Sequence, residues 1–437
     1  MKQTSCVAPD RVIGLDAHPD SFAAAILHGP TPATAIVEKT FDHVPLALLP
    51  KWACKYTTAK DQFVLEASGN SFQIARTLAT VERQALVLES CHVGKLKDTH
   101  ANNDKISAVR LGKAFLAGTA KPVWVPDDQA QARRDLMLAH RKAVKRSTQT
   151  RNRLLSYLSD KGVRLKKGTA LTEARLRAAT AWSPRQWQVV AGYLLELDHA
   201  TQQRDHWRSL IAQEVLADPQ LLQLVRLCGV RDVVAFSLGA IIGDITRFAN
   251  PRRLVKYVGL NPAFDDSGKG EWHGGLSGHG RKDLRALLIE SAQAILRTPK
   301  HPLAKWGRKL LARKSARNIA VAAIARKLTV AIWYLMMGKW TAVEEIDAAL
   351  AQKVGKIITQ VGPEGLQYLG KTRKELRAQT LLALQASRVP APQPKQPAAP
   401  KPSHPPKKVY VLKPLQPFTP KRRAPQKRLV TTENVAG

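Results

Sequence analysis

Three acids in the first hundred or so residues are of a type and spacing that could handle phosphate chemistry. Asp16 closes the apolar run Arg11 to Asp16, Glu66 closes Gln62 to Glu66 (QFVLE), and Asp104 opens the amphipathic stretch Asp104 to Leu116. Carboxylates from neighbouring strand ends and a helix N-terminus can converge to hold divalent cations. Mg2+, for which Mn2+ can stand in, takes oxygen ligands almost exclusively, and two such ions clamp the attacking and leaving oxygens of a phosphoryl transfer. Taken singly, each acid has a plainer reading: Asp16 begins a turn, Glu66 lies at a strand edge, and Asp104 suits a helix N-terminus. Taken in this order, in a chain with 69 Lys+Arg against 34 Asp+Glu, they read as a metal site. His18 and Asp20 nearby read as turn residues rather than ligands. Asp61 and Asp98 are further neighbours, and Asp98 is either a spare ligand or a loop charge.

A second chemical feature lies far downstream. Asp266-Ser267-Gly268-Lys269-Gly270 is followed by Gly274-Gly275-Leu276-Ser277-Gly278-His279-Gly280 and then Arg281-Lys282-Asp283-Leu284-Arg285. So many glycines let a backbone approach a ligand closely and leave amides free. A helix opening on Arg281, Lys282 and Arg285 sets cations against its own dipole, which suits an anionic partner. Either Ser267 or Ser277 could attack a phosphodiester if held in line. Ser277 could equally be a cap or turn, and Lys269 adds a cation beside the first serine. Leu227 to Phe248 reads as two short helices around glycine turns, a form that can offer amides to phosphates.

The elements that must position these groups can be read from hydrophobic periodicity. Strands are expected at Arg11 to Asp16, Phe22 to Leu27, Ala35 to Phe41, Gln62 to Glu66 and Ala85 to Glu89. Helices are expected at Val44 to Tyr56, Asn70 to Val81 and Asp104 to Leu116. The order β-β-β-α-β-α-β-α is that of an α/β, ribonuclease H-like mixed sheet. It occupies residues 1–127. Residues 128–219 read as a helical, coiled-coil-like arm, 220–345 as a mainly helical domain with one conspicuous loop, and 346–387 as closing helices. Residues 388–437, with 12 prolines and 11 Lys/Arg against one acid, read as a disordered basic tail.

Composition narrows the function classes. A formal net charge of +35 and a pI near 10.4 favour a polyanionic partner, of which nucleic acid is the commonest. Met1 to Gly14 holds no apolar h-region, so no secretory leader is expected. Arg326 and Lys327 interrupt the most apolar stretch, Ile319 to Met337, which argues against a membrane span. Cys6, Cys54, Cys91 and Cys228 are widely separated and include no C-x-x-C pair, which points to a reducing, cytoplasmic setting.

An ordered set of fragments resembles a known family. Asp16 in Gly-Leu-Asp, Glu66 in Leu-Glu-Ala-Ser and Asn103-Asp104-Lys105 are followed by Gly243-Asp244-Ile245-x-x-Phe248, Gly259-Leu260-x-Pro262, Ser267-Gly268 and Gly280-x-x-x-Leu284-Arg285. Over about residues 11–300 the chain resembles bacterial insertion-sequence transposases of the DEDD type. These have a RuvC-like N-terminal domain and a serine-bearing C-terminal domain, and are related to pilin-gene inverting recombinases. The resemblance implies excision and insertion of a mobile element, with Mg2+ at Asp16, Glu66 and Asp104. It implies Ser267 as the nucleophile that forms a phosphoserine link to DNA. It also implies, for some members, an element-encoded bridge RNA, and assembly as a homo-oligomer (dimer or tetramer) with active sites shared between protomers through the helical arm. Two positions depart from the family pattern. Ser107 stands where a fourth acid is usual, and supplies no charge to a second ion. Arg231 stands where the family has a glycine, which puts the tight turn in question while adding a phosphate contact. Two other readings stay open: a RuvC-like nuclease that uses activated water, and a nucleic-acid-binding protein that has lost catalysis.

Overall fold

The computed structural model describes residues 11–90, 103–118, 121–166, 168–267, 270–339 and 348–386. The N-terminal part is a six-stranded mixed sheet of β1 (Arg11–Ala17), β2 (Ser21–His28), β3 (Ile36–Pro45), β4 (Gln62–Glu66), β5 (Gln84–Leu88) and β6 (Pro122–Val123), in the order β3-β2-β1-β4-β5-β6. β1 pairs antiparallel with β2 from Arg11↔His28 to Ala17↔Phe22, and parallel with β4 from Val12↔Gln62 to Leu15↔Leu65. The parallel pairing is what brings Asp16 and Glu66 to the same end of the sheet.

Helices cover both faces, which is why the central strands are apolar on both. Ile13, Leu15, Phe22, Phe63 and Leu65 pack with Leu49 and Trp52 of α1 (Leu49–Tyr56) and Ile74 and Leu78 of α2 (Ser71–Ala79). On the opposite face Val12, Val64 and Leu88 pack with Leu111, and Leu27 with Ala108, both from α3 (Asp104–Leu116). α3 comes very close. A Cβ on Gly14 would overlap the carbonyl oxygen of Ala108, and one on Gly112 would lie 2.6 Å from Leu27 Cδ1. Backbone here meets backbone, so the clash cannot be relieved by a rotamer change. Gly14→Ala is therefore expected to cost about 2–3 kcal/mol. A denaturant midpoint equal to that of the unsubstituted chain would refute the close contact.

The expected element order holds, with three local differences. β3 runs on to Pro45, and a single 3-10 turn (Leu46–Leu48) separates it from α1, whose first turn contains Pro50, a residue preorganised for that position. β6, only two residues long, closes the sheet edge. Asp61 is not near the other acids. It sits 3% exposed at the opposite end of the sheet, accepting hydrogen bonds from Arg11 Nε (3.1 Å), Arg11 Nη2 (2.7 Å) and Thr58 N (2.7 Å). Burial would raise this carboxyl, but the arginine fork and the amide outweigh it and hold it below the ordinary range.

Two long helices follow: α4 (Asp128–Asp160), N-capped by Asp127, and α6 (Pro184–Ala217), opened by a Ser183/Gln186 capping box, with the short α5 (Glu173–Arg177) between them. They run antiparallel, since Arg133 near the start of α4 pairs with Asp218 just past the end of α6 (2.7 Å). Far along the pair, Leu154, Leu158, Val163, Leu176 and Val190 form a small core separate from that of the helical body.

The helical body comprises α7 (Pro219–Leu224), α8 (Asp232–Ile242), α9 (Pro251–Val258), α10 (Lys282–Leu296), α11 (Pro302–Lys314), α12 (Arg317–Met336), α13 (Ala348–Tyr368) and α14 (Arg373–Ala386). The glycine-rich segment, expected as a loop, is a hairpin of β7 (Pro262–Ser267) and β8 (Gly270–Leu276). Among the described residues only α12 is long and apolar enough to cross a membrane, and its Val321, Ile324, Leu328 and Ile332 are buried in the core of this body. Trp124, leading from β6 into α4, has the guanidinium groups of Arg134 (4.8 Å) and Arg247 (4.5 Å) over its ring. Those arginines donate to Ala240 O and Ile242 O (2.9 Å each) and so satisfy carbonyls at the C-terminal end of α8. Residues 388–437 lie outside the described residues.

Candidate active site

The acidic end of the sheet is assembled by one turn and one cap. His18 N donates to Ser21 O (2.9 Å), which reverses the chain between β1 and β2, and Asn70 Nδ2 donates to His18 O (2.8 Å), tying that turn to the start of α2. Asn103 caps α3 by accepting from Ile106 N (2.8 Å), which starts the helix with Asp104 in its first turn. One oxygen each of Asp16 and Asp104 and one nitrogen of His18 thereby lie within 4.8 Å of one another. Asp104 is shared with a second such group, Asp42 and His43, brought over from β3. His18 Nε2 is 3.1 Å from Asp104 Oδ2, yet this buried nitrogen has no hydrogen-bond partner. Two ligand atoms at ion-pair distance that face the same space also suit a shared cation. A set of two carboxylates and an imidazole fits a divalent metal.

Sequence reasoning found Asp16 and Asp104 but gave His18 only its turn. The turn is there, and the side chain does more: two residues past Asp16 across a reversal, it points back to the same end. Asp42 and His43 were not singled out at all. Glu66 ends β4 beside Asp16, but it is not among the described groups whose ligand atoms share this small volume. Ser107 is half-buried one turn along α3 from Asp104. Asp20 is exposed in the β1–β2 turn, and Asp98 lies outside the described residues.

Ser267 is the last residue of β7 and pairs with Gly270 across the hairpin end, with Gly268 and Lys269 outside the described residues. Ser277 at the hairpin base is committed: its hydroxyl donates to Asn261 Oδ1 and its amide to Asn261 O (3.0 Å each). Beyond it, Gly278 (φ +72°) and Gly280 (φ +122°) turn the chain back onto α9, where Arg281 N donates to Tyr257 O (2.9 Å). The cations expected to face phosphate divide into two kinds. Arg281 holds Asp283 through two hydrogen bonds (3.1 and 2.8 Å), and Arg285 donates to Gly278 O (3.1 Å). Burial would raise the Asp283 carboxyl, but Arg281 outweighs it and keeps the group ionised below its ordinary range. Lys282 is the exposed cation of this turn. Arg231 does not obstruct the turn before α8, because Gly229 (φ +79°) makes that turn and Arg231 is extended (φ −121°), with Nε 3.7 Å from Asp232 Oδ1.

Residues 223–306, which contain the whole hairpin and its flanking helices, match the family model for the transposase IS116/IS110/IS902 family. Over that segment the chain is similar to transposases of that family. Curated relatives extend the likeness beyond this domain. The transposase for insertion sequence element IS1111A of Coxiella burnetii is 26% identical over 281 residues, 62% of this chain and 77% of that protein. A Pseudomonas aeruginosa protein named "Probable family 20 transposase" is 26% identical over 283 residues, 62% of this chain and 82% of its own length. The matched segment thus encloses Ser267, Ser277, Arg281, Lys282 and Arg285, whereas the Asp16–His18–Asp104 group belongs to the sheet that precedes it.

Proposed function

We propose that this chain is a DNA transposase that excises and inserts an insertion sequence, and that Ser267 attacks a DNA phosphodiester with help from the acids of the sheet domain. The observation that carries the proposal is the meeting of Asp16, His18 and Asp104 at one strand end, in a chain whose later segment matches an insertion-sequence transposase domain. A sheet of three antiparallel strands joined to parallel β4 and β5, with α3 lying across it, supports a ribonuclease H-like reading of residues 1–127. A divalent cation (Mg2+ or Mn2+) held by Asp16 and Asp104, with His18 and Glu66 beside them, would supply charge to polarise the phosphate and its leaving oxygen. In the attack a bond forms from Ser267 Oγ to phosphorus, the hydroxyl proton is given up, and the leaving sugar oxygen takes a proton as its bond breaks. Hairpin amides and Lys282 face the phosphate charge, while Arg281 and Arg285 hold the turn that presents them.

The same reading assigns residues 128–219 to an arm that joins protomers of a homo-oligomer, 220–345 to the serine-bearing domain, 346–387 to closing helices and 388–437 to a basic tail. The carboxylates come from the sheet and Ser267 from a hairpin far later in the sequence, which suits active sites completed between protomers. A structured RNA that pairs with both DNA partners, and a cytoplasmic location, belong to this reading as well. The decisive experiment incubates the full chain, any co-purifying RNA, Mg2+ and the joined ends of the element. Strand-exchanged product is expected. Simple hydrolysed ends would favour the nuclease reading, and no cleavage with Mg2+ or Mn2+ would favour a binding protein without catalysis.

A further inference from the structure

We propose that the arm helix α4 is itself a DNA-binding element, gripping the backbone of a duplex through a stripe formed by Lys142, Lys145 and Arg146. This rests on the reading of the chain as an enzyme acting on DNA, and it assigns a contact surface to a segment otherwise given only a role in assembly. From Leu136 to Ser159 the sequence holds six cations and no acid. The inward side of that stretch is spent on packing, with Ala143, Ser147, Thr150 and Leu154 buried. Lys142, Lys145, Arg146, Gln149 and Arg153 recur at spacings of three and four, so they share one outer stripe, and together they line a concave polar groove with Glu196 of α6.

Glu196 is the acid in this groove and is already engaged, accepting from Thr150 Oγ1 (2.9 Å) and lying 3.7 Å from Arg153 Nη1. Among the described residues Lys142, Lys145 and Arg146 have no carboxylate within ion-pair distance, and Arg146 meets only the side-chain amide of Gln203 (3.4 Å). Like charges three and four residues apart on a helix are mildly destabilising. A solvated face meant only for solubility would mix signs, whereas this one keeps the repulsion unrelieved. The stripe is also continuous with the transposase domain. Arg141 Nη1 lies 3.7 Å from Asp283 Oδ2 in the first turn of α10, next to Lys282 and the hairpin that carries Ser267. From Arg141 to Arg153 the helix rises about 18 Å, the span of about five phosphates along one DNA strand.

The groove has no aromatic side chain on which an unpaired base could stack, so it suits the backbone of a duplex rather than a single strand. Nor does it present a planar fork aimed at a base edge, so its contribution is to affinity and orientation and not to sequence choice.

The test uses the full chain and a mixed-sequence DNA duplex of about 30 base pairs, with affinity measured by fluorescence anisotropy across a salt series. The variant K142A/K145A/R146A is expected to flatten the slope of log affinity against log salt by about 2 to 3, close to 0.9 per lost phosphate contact. The charge-preserving variant K142R/K145R/R146K is expected to keep the original slope, which separates lost charge from a disturbed helix. An unchanged slope in the alanine variant would overturn the proposal. So would a loss confined to structured RNA while duplex DNA binding stayed intact. Because the readout is binding and not cleavage, a chain that forms strand-exchange product but shows no slope change refutes the arm contact alone. A slope change without product refutes only the catalytic reading.

Discussion

Ser267→Ala is expected to abolish covalent protein–DNA adducts while changing DNA affinity by less than about twofold. The substitution removes one oxygen and leaves the backbone pairing of residue 267 with Gly270 available to alanine. Affinity is set by phosphate contacts spread over a chain with a net charge of +35, and an uncharged hydroxyl adds almost nothing to that sum. The second serine of this segment, Ser277 at the hairpin base, is already engaged, its Oγ donating to Asn261 Oδ1 at 3.0 Å. Denaturing gels of reactions with labelled DNA would show the adduct as a band retained by the protein and released by protease. Persistence of that band in Ser267→Ala would remove the assigned role. Cleavage that continues with free ends would move the chemistry to activated water and leave the acids as its centre.

What could be read in advance, and what could not, follows from the range of each interaction. The sheet was legible because its central strands are buried on both faces and so are written as unbroken apolar runs, such as FVL in β4 and AAAIL in β2. Asp16 and Glu66 were legible as strand-end acids because parallel neighbours end at the same edge. His18 was only half legible. Its place in a turn is local, but the direction of its imidazole depends on α3, which reaches the sheet through contacts that only Gly14 and Gly112 permit. Asp42 and His43 were illegible for the same reason, since β3 joins the group only through its pairing with β2 and the position of Asp104. His43 also has a left-handed backbone (φ +48°), uncommon for a residue with a side chain and unmarked in the text of the sequence. The hairpin was hidden by its own glycines, which read as a loop until pairing from Pro262↔Leu276 to Ser267↔Gly270 is seen. The fate of Arg281 was, by contrast, within reach: an aspartate two residues later was available to claim its charge.

Asp104→Asn is expected to lower metal-dependent strand cleavage by at least about 100-fold, with little change in the stability of the metal-free chain. Asp104 is the one carboxylate common to both ligand groups, the first with Asp16 and His18 and the second with Asp42 and His43. Removing its charge therefore weakens both candidate cation positions found among the described residues at this end of the sheet. The structural cost is small, because the capping bond of α3 comes from Asn103 to Ile106 N and is untouched. Losing one carboxylate near a helix N-terminus costs about 0.5 kcal/mol. The metal can be read separately from catalysis. A cation that binds the folded chain and not the unfolded one raises the melting temperature as its concentration rises. That rise is expected for the unsubstituted chain in Mn2+ or Mg2+ and should shrink or vanish in Asp104→Asn. If the variant keeps both its cleavage rate and its cation-dependent stabilisation, the strand-end acids are surface charges. In that case the imidazole of His18 faces Asp104 only as a weak ion pair at a turn.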